Sequence, residues 1–282
     1  MKKSIQRLLI FITGIPIITA LVLFLPQLGH LALNIAVVIF SALGALEFRN
    51  MLKEKQLVVT RIEAIVLGAL CPALMTLIIC LDLNFLVIPV FIIAAAFWLL
   101  VSSVFMSHLE NYINRITAGF GVLIYPGFFL AWICAMGKWN GILIIIFLLI
   151  PLLADATAWA AGMLFGKNNR GIVKVSPNKS IAGFAGGLFA AVLVSTVSVF
   201  LFPSYFIPRV MPALPAAIIL GFIPGICSAL GDLCESAIKR SAGVKDSGTL
   251  IPGRGGILDS VDSIALAAPS FFFIWTLLFT RA

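Results

Sequence analysis

An all-α polytopic membrane fold, with about nine transmembrane helices and a cytoplasmic N-terminus, is what the sequence predicts, and three observations predict it. Hydrophobic residues make up 62% of the 282 and charged residues only 11%, for a mean hydropathy of +1.16. That composition belongs to chains that live in lipid rather than in water. Crossing about 30 Å of hydrocarbon takes roughly 20 apolar residues at about 1.5 Å each. Nine such runs can be read, near 8–25, 28–46, 62–80, 85–105, 116–136, 141–165, 182–202, 211–231 and 264–280. The cations also sort by loop: with the N-terminus inside, sixteen Lys and Arg face the cytoplasm and only Lys138, Arg209 and Arg281 fall outside. Such a bias sets the orientation as N-in, C-out. The net charge of +8 is then a matter of topology and of attraction to anionic lipid, not of nucleic acid.

Taken in order, the chain reads as one polytopic domain over 1–282, with N-terminal helices to about residue 136 and a chemistry-bearing half over 137–282. A cleaved signal peptide is not expected, because MKKSIQRLL leads into an apolar run too long for an h-region. Glu47, Arg49, Lys53, Glu54 and Lys55 form a mixed-charge loop after the second run. Glu47 sits at the run's end, within reach of a pocket, but reads more simply as part of that solvated loop. His30 and His108 stand alone near span ends and read as interfacial. Cys71, Cys80, Cys134, Cys227 and Cys234 show no paired spacing and read as small core residues, which excludes a soft-metal site of Cys and His.

The sixth run carries Asp155 about ten residues, hence about 15 Å, from its cytoplasmic end. An ionisable group at that depth costs on the order of 2.5 to 3.5 kcal/mol, so Asp155 should face an interior or wet cavity. Ala158, Gly162 and Gly166 follow on its helical face at four-residue spacing, which lets another helix approach closely. The loop beyond, FGKNNRGIVKVSPNKSIAG, holds Lys167, Arg170, Lys174 and Lys179 with Ser176, Asn178 and Ser180.

Charge concentrates again from Gly231 to Asp262, in GDLCESAIKRSAGVKDSGTLIPGRGGILDSVD. Four aspartates (Asp232, Asp246, Asp259, Asp262) and Glu235 stand beside Lys239, Arg240, Lys245 and Arg254. Carboxylates in this number can hold Mg²⁺ through oxygen, and the cations can hold phosphate oxygens. If GDLCESAIKR is helical, Asp232, Glu235 or Ser236, and Lys239 share one face, and Asp259 and Asp262 share a face of the next helix. The glycines allow backbone to approach a ligand, and the GRGG turn before a helix is a candidate phosphate contact. Metal plus polyphosphate is the chemistry this composition points to.

At these residues the chain resembles the phosphatidate cytidylyltransferases, the CDP-diacylglycerol synthases. Ser236, Lys239, Arg240, Lys245, Asp246, Gly248, Pro252, Gly255, Gly256, Asp259 and Asp262 fall in register with that family's long signature. Two positions depart: Arg254 stands where the family usually has His, and Ser260 where it usually has Arg. Arg254 keeps a donor but shuttles no proton near neutral pH. The earlier stretch resembles the same family through Asp155, Ala158, Trp159, Phe165, Gly166, Lys167, Ser176, Pro177, Lys179 and Ser180. The likeness covers the C-terminal half by motif and the front half by hydropathy alone.

The resemblance implies transfer of CMP from CTP to phosphatidic acid, giving CDP-diacylglycerol and pyrophosphate, with Mg²⁺ as cofactor and room for a second cation. It makes Asp232, Asp246, Asp259, Lys239 and Lys245 the catalytic set and Asp232, Asp259 and Asp262 the metal ligands. Substrate binding falls to Lys167, Ser176, Lys179, Arg240, Arg254 and Asp155. The implied partners are CTP, phosphatidic acid in the bilayer and, since the family commonly dimerises, a second copy. The implied place is the cell's inner membrane, with the active site facing the cytoplasm. Two rivals stay open: another membrane lipid-phosphate transferase or kinase, and a secondary transporter coupling through Asp155. A CDP-alcohol phosphatidyltransferase needs a compact aspartate run with DG and AR on one segment, absent here, and no internal repeat supports the transporter.

Overall fold

The computed structural model describes residues 2–53, 59–105, 112–171 and 173–280, with side chains from Thr13 onward. Glu54, Lys55, His108 and Arg281 lie outside the described residues. The helices are α1 (Lys2–Phe24), α2 (Gln27–Lys53), α3 (Arg61–Leu81), α4 (Val87–Val104), α5 (Tyr112–Val122), α6 (Phe129–Ala135), α7 (Gly141–Phe165), α8 (Ile181–Leu201), α9 (Ala213–Ser241) and α10 (Leu258–Leu278). Strands β1 (Ile207–Pro208) and β2 (Phe279–Thr280) form a short antiparallel pair. Among the described residues, eight helical stretches are long and apolar enough to cross a membrane. One of them, Tyr112–Lys138, joins α5 to α6 through a π-helical turn at Leu123–Phe128 that contains Pro126. The first run read from the sequence is α1, whose described apolar part is Thr13–Phe24. The protein is an all-α polytopic membrane protein.

The chain gathers into two compact units, Met1–Trp139 with Ile238–Val261, and Asn140–Ala237 with Asp262–Ala282. In the first, α3 starts on a capping box in which Thr60 accepts from Glu63 N and Glu63 accepts from Thr60 N; this satisfies N–H groups that have no partner inside the helix. Small residues set the packing. A side chain at Gly68 would collide with Ala45, and the Ser41 hydroxyl lies 2.7 Å from the Gly68 carbonyl and also reaches that of Pro126. These contacts draw α2, α3 and the π turn together. His30, near the start of α2, is buried, and its Nε2 lies 3.2 Å from the Trp139 carbonyl. Cys71 and Cys134 are buried as expected, whereas Cys234, in the second unit, is exposed.

In the second unit α7 and α8 pack through small residues. A side chain at Gly183 would meet the Ala158 carbonyl, and one at Gly187 the Ala154 carbonyl and the Ala158 methyl. The four-residue spacing after Asp155 thus receives α8. Ser180 caps α8 by accepting from Gly183 N at 3.0 Å, and Ser195 ties α8 to α9 through the Ala217 carbonyl at 2.8 Å. Phe147 and Phe271 join α7 to α10, with ring centroids 5.4 Å apart.

Helix α9 runs ten residues past the apolar run ending at 231, so GDLCESAIKR is helical and continuous with a span. Nothing in that decapeptide breaks a helix; the break comes at Gly243, φ 76°, where Val244 N bonds back to the Lys239 carbonyl at 2.9 Å. Likewise α10 begins at Leu258, several residues before its apolar run, and carries Asp259 in its first turn.

Candidate active site

Polar groups gather in each unit. In the first, Lys239 near the end of α9 points its Nζ at Asp259 Oδ1, 2.5 Å away, and only 9% of Lys239 is exposed. Asp259 Oδ2 accepts from the backbone N–H groups of Ser247 and Gly256, each at 2.8 Å, and from the Ser247 hydroxyl at 2.9 Å. Arg254 Nε donates to the Asp259 backbone carbonyl at 3.3 Å. A buried ion pair holds only when the remaining lone pairs find donors, and here the loop between α9 and α10 supplies them.

Sequence reasoning passes over the residue that completes this network. Glu47 is no solvated loop residue: it is 5% exposed, on α2, which continues to Lys53. Its Oε1 accepts from Ile257 N at 3.0 Å, and its Oε2 accepts from Leu258 N at 3.0 Å and lies 3.1 Å from the Ser247 hydroxyl, whose one proton it shares with Asp259. The first N–H groups of α10 have no partner inside their helix, and α2 provides one. The only signal in the sequence is a lone acid at the end of an apolar run. A side chain at Gly248 or Gly256 would collide with the Glu47 carboxylate, and one at Gly255 with that of Asp259. These glycines make room for the protein's own carboxylates, where approach to a ligand was expected. The N–H groups of Gly256, Ile257 and Leu258 are likewise taken by Asp259 and Glu47, so the anions at this helix start are internal ones.

In the second unit Asp155, Lys179 and Asp232 line one cavity of about 630 Å³, together with Trp159, Arg170 and Ser228. Lys179 Nζ stands 2.7 Å from Asp232 Oδ2 and 5.8 Å from the Phe184 ring centroid. The Ser236 hydroxyl, one turn along α9, is 3.4 Å from Asp232 Oδ1. Asp155 Oδ2 accepts from the Ser263 hydroxyl at 3.1 Å. Most of the remaining wall is glycine, alanine and apolar side chains, which suits a ligand with a charged end and a greasy one. Ser228 is 1% exposed, and its hydroxyl has no hydrogen-bond partner among the described residues.

The other sequence candidates sit differently. Lys167, Arg240, Lys245 and Asp246 are exposed, with Arg240 Nη1 donating to the Val244 carbonyl at 3.2 Å. Ser176 is half-buried and shapes its loop through the backbone, accepting from Lys179 N at 3.1 Å. Asp262 is buried, and its Oδ1 accepts from Ser263 N at 2.7 Å. Among the described residues, no group of three His, Cys, Asp or Glu stands close enough to hold a metal ion; two carboxylates, Asp155 and Asp232, share the cavity.

Fold and polar groups together define a polytopic helical membrane protein with a cavity lined by lysine, arginine and aspartate. The chain belongs to the cytidylyltransferase family, whose model matches residues 5–278. It is 34% identical to a protein of Escherichia coli (strain K12) called uncharacterized protein YnbB, over 69% of this chain and 64% of that one. It is 39% identical to a phosphatidate cytidylyltransferase of Synechocystis sp. over 46% of this chain and 44% of that protein. A phosphatidate cytidylyltransferase of Haemophilus influenzae is 36% identical over 49% of this chain and 47% of its own. The chain thus spans about half the length of the phosphatidate cytidylyltransferases it matches.

Proposed function

We propose that the protein is a phosphatidate cytidylyltransferase, moving CMP from CTP to phosphatidic acid. The observation that carries this reading is the cavity of the second unit, where Lys179, Arg170 and two carboxylates stand among small and apolar side chains of membrane-crossing helices. Family membership supports it.

In the proposed reaction a phosphate oxygen of the lipid attacks the α-phosphorus of CTP. That bond forms as the bond from the α-phosphorus to the oxygen bridging to the β-phosphate breaks, and pyrophosphate leaves with the electron pair. The attacking phosphate monoester is already ionised near neutral pH, so no general base is required. Two anions must meet, and the protein's task is positioning and charge neutralisation. Lys179 and Arg170 would hold phosphate oxygens at the cavity through charge-assisted hydrogen bonds, and Lys239, Arg240, Lys245 and Arg254 would hold others.

Mg²⁺ is part of this reading. Mg²⁺ commonly takes one or two carboxylates and fills its shell with water and substrate phosphate; the cavity offers Asp155 and Asp232 and no His or Cys. That donor set fits a hard cation. Asp232 is the favoured ligand; Asp259 and Asp262 are candidates in their own units, Asp259 only by exchanging donors it already holds. When bound, the ion would neutralise charge on the departing pyrophosphate. The sixteen-to-three distribution of cations supports a cytoplasmic site in the inner membrane, and pairing of two copies rests on the resemblance alone.

Purified protein given labelled CTP and phosphatidic acid should place label in lipid and release pyrophosphate in equal amount. Substrate flux across vesicles without nucleotide turnover would support the transporter and sink the enzyme.

A further inference from the structure

We propose that Glu47 is a positioning residue for cytidylyl transfer, a buried carboxylate on α2 that sets the place of the Asp259 and Lys239 side chains through Ser247. The inference rests on the function proposed above and adds a residue outside the charged stretches that suggested it.

A capping side chain needs one oxygen, and Glu47 uses both. Oε1 and Oε2 take the N–H groups of Ile257 and Leu258, and Oε2 also lies within reach of the Ser247 hydroxyl. That hydroxyl lies 3.1 Å from Glu47 and 2.9 Å from Asp259 Oδ2, and it accepts from Asp259 N at 3.3 Å. A hydroxyl has one proton to donate, so Ser247 bonds one of the two acids at a time, while the Asp259 N–H holds its oxygen within reach of both. Its position sets that of Asp259 Oδ2, and the other oxygen of Asp259 holds Lys239. The chain of contacts runs Glu47, Ser247, Asp259, Lys239, and its last member is the cation proposed to meet a phosphate.

Two like charges share this small space. They are tolerated because Ser247 N, Gly256 N, Ile257 N, Leu258 N, the Ser247 hydroxyl and the Lys239 ammonium all point at them. The positive end of α10 adds to the same effect. Gly248 and Gly256 leave the space that the Glu47 carboxylate fills, so backbone and side chain are matched to each other. Glu47 is buried behind the loop and acts on substrate only through Lys239. A displacement of about 1 Å in a group that orients a reacting phosphate costs on the order of a hundredfold in rate.

The test is Glu47→Gln, Ser247→Ala and the double variant, with melting temperature and kinetics per folded protein measured beside the active wild type. Glu47→Gln keeps the volume but turns an amide NH₂ toward N–H donors. A positioning role predicts a kcat lower by about tenfold or more, with both KM values within about threefold. Acting through Ser247 predicts that the double variant loses no more kcat than the worse single one. A variant that melts lower but keeps kcat per folded protein within about twofold of wild type shows a fold stabiliser and overturns the proposal. So does a double variant whose losses multiply. Should Glu47→Gln not fold, Ser247→Ala decides by the same kcat criterion, since it leaves both Glu47 bonds to backbone in place. A wild type without transfer overturns the functional reading, and this inference with it; an active wild type beside unaltered variants overturns this inference alone.

Discussion

Lys179 Nζ and Asp232 Oδ2 stand 2.7 Å apart on the wall of the second unit's cavity, joining the basic loop before α8 to the polar end of α9. Both side chains are partly exposed, at 24% and 31%, and a pair so placed contributes little to stability. In the proposed reaction the pair serves to hold a ligand. Asp232→Asn should lower kcat by about a hundredfold or more, because it removes the proposed cation ligand's charge at nearly constant volume. Lys179→Ala should raise the KM for one substrate by about tenfold, the loss of a charge-assisted bond. Neither should move the melting temperature appreciably. Steady-state kinetics with both substrates varied check this, and near-normal activity in either variant would remove the cavity from the proposal.

Lys239 and Arg240 are neighbours with opposite surroundings, and their alanine variants should differ accordingly. Lys239→Ala leaves the Asp259 carboxylate short of a donor in a half-buried place, at a cost of about 1 to 3 kcal/mol in stability as well as lost activity. Arg240 is exposed, so Arg240→Ala should change stability by less than about 0.5 kcal/mol. A rise in KM for CTP in Arg240→Ala would then report phosphate contact directly. Chemical denaturation in detergent, run beside the kinetics, separates the two effects, and equal stability losses would contradict the structure.

Asp155 lines the cavity and accepts from Ser263. Asparagine in its place fills the same space and still accepts that bond, so Asp155→Asn should cut kcat strongly while shifting the melting temperature little. An unstable variant with near-normal specific activity would make Asp155 a packing residue and favour neither enzyme nor transporter.

The Ser228 hydroxyl lines the cavity and makes no hydrogen bond to another described residue, so Ser228→Ala breaks no bond within the protein and should leave the melting temperature unchanged. A clear drop in melting temperature would mean that the hydroxyl is satisfied in the native protein.

Much of the fold was legible because lipid imposes its own grammar: a span must be about 20 apolar residues long and helical, since no water is there to satisfy backbone groups. Eight of the nine runs coincide with long apolar helices among the described residues, and the ninth falls on α1. The charged stretches themselves were legible for the same reason, because acids and cations stand out in an apolar chain. Asp155, Lys179 and Asp232 were all named from the sequence, and the cavity contains all three.

Composition alone reveals the helical membrane class, the polar stretches and the residue types able to handle phosphate. Which of them meet depends on the packing of distant helices. Glu47 lies 211 positions from Leu258, and no local period links an acid at the end of one helix to the first turn of another. The glycines near Asp259 looked like room for a ligand until packing put Glu47 there. Exposure was equally invisible, since Lys239 and Arg240 are adjacent in sequence and only helix packing buries one and leaves the other in solvent. Spacing along a chain reports what neighbouring turns share, whereas hydrogen bonds between distant helices depend on how the helices pack, which is set by contacts spread over the whole unit.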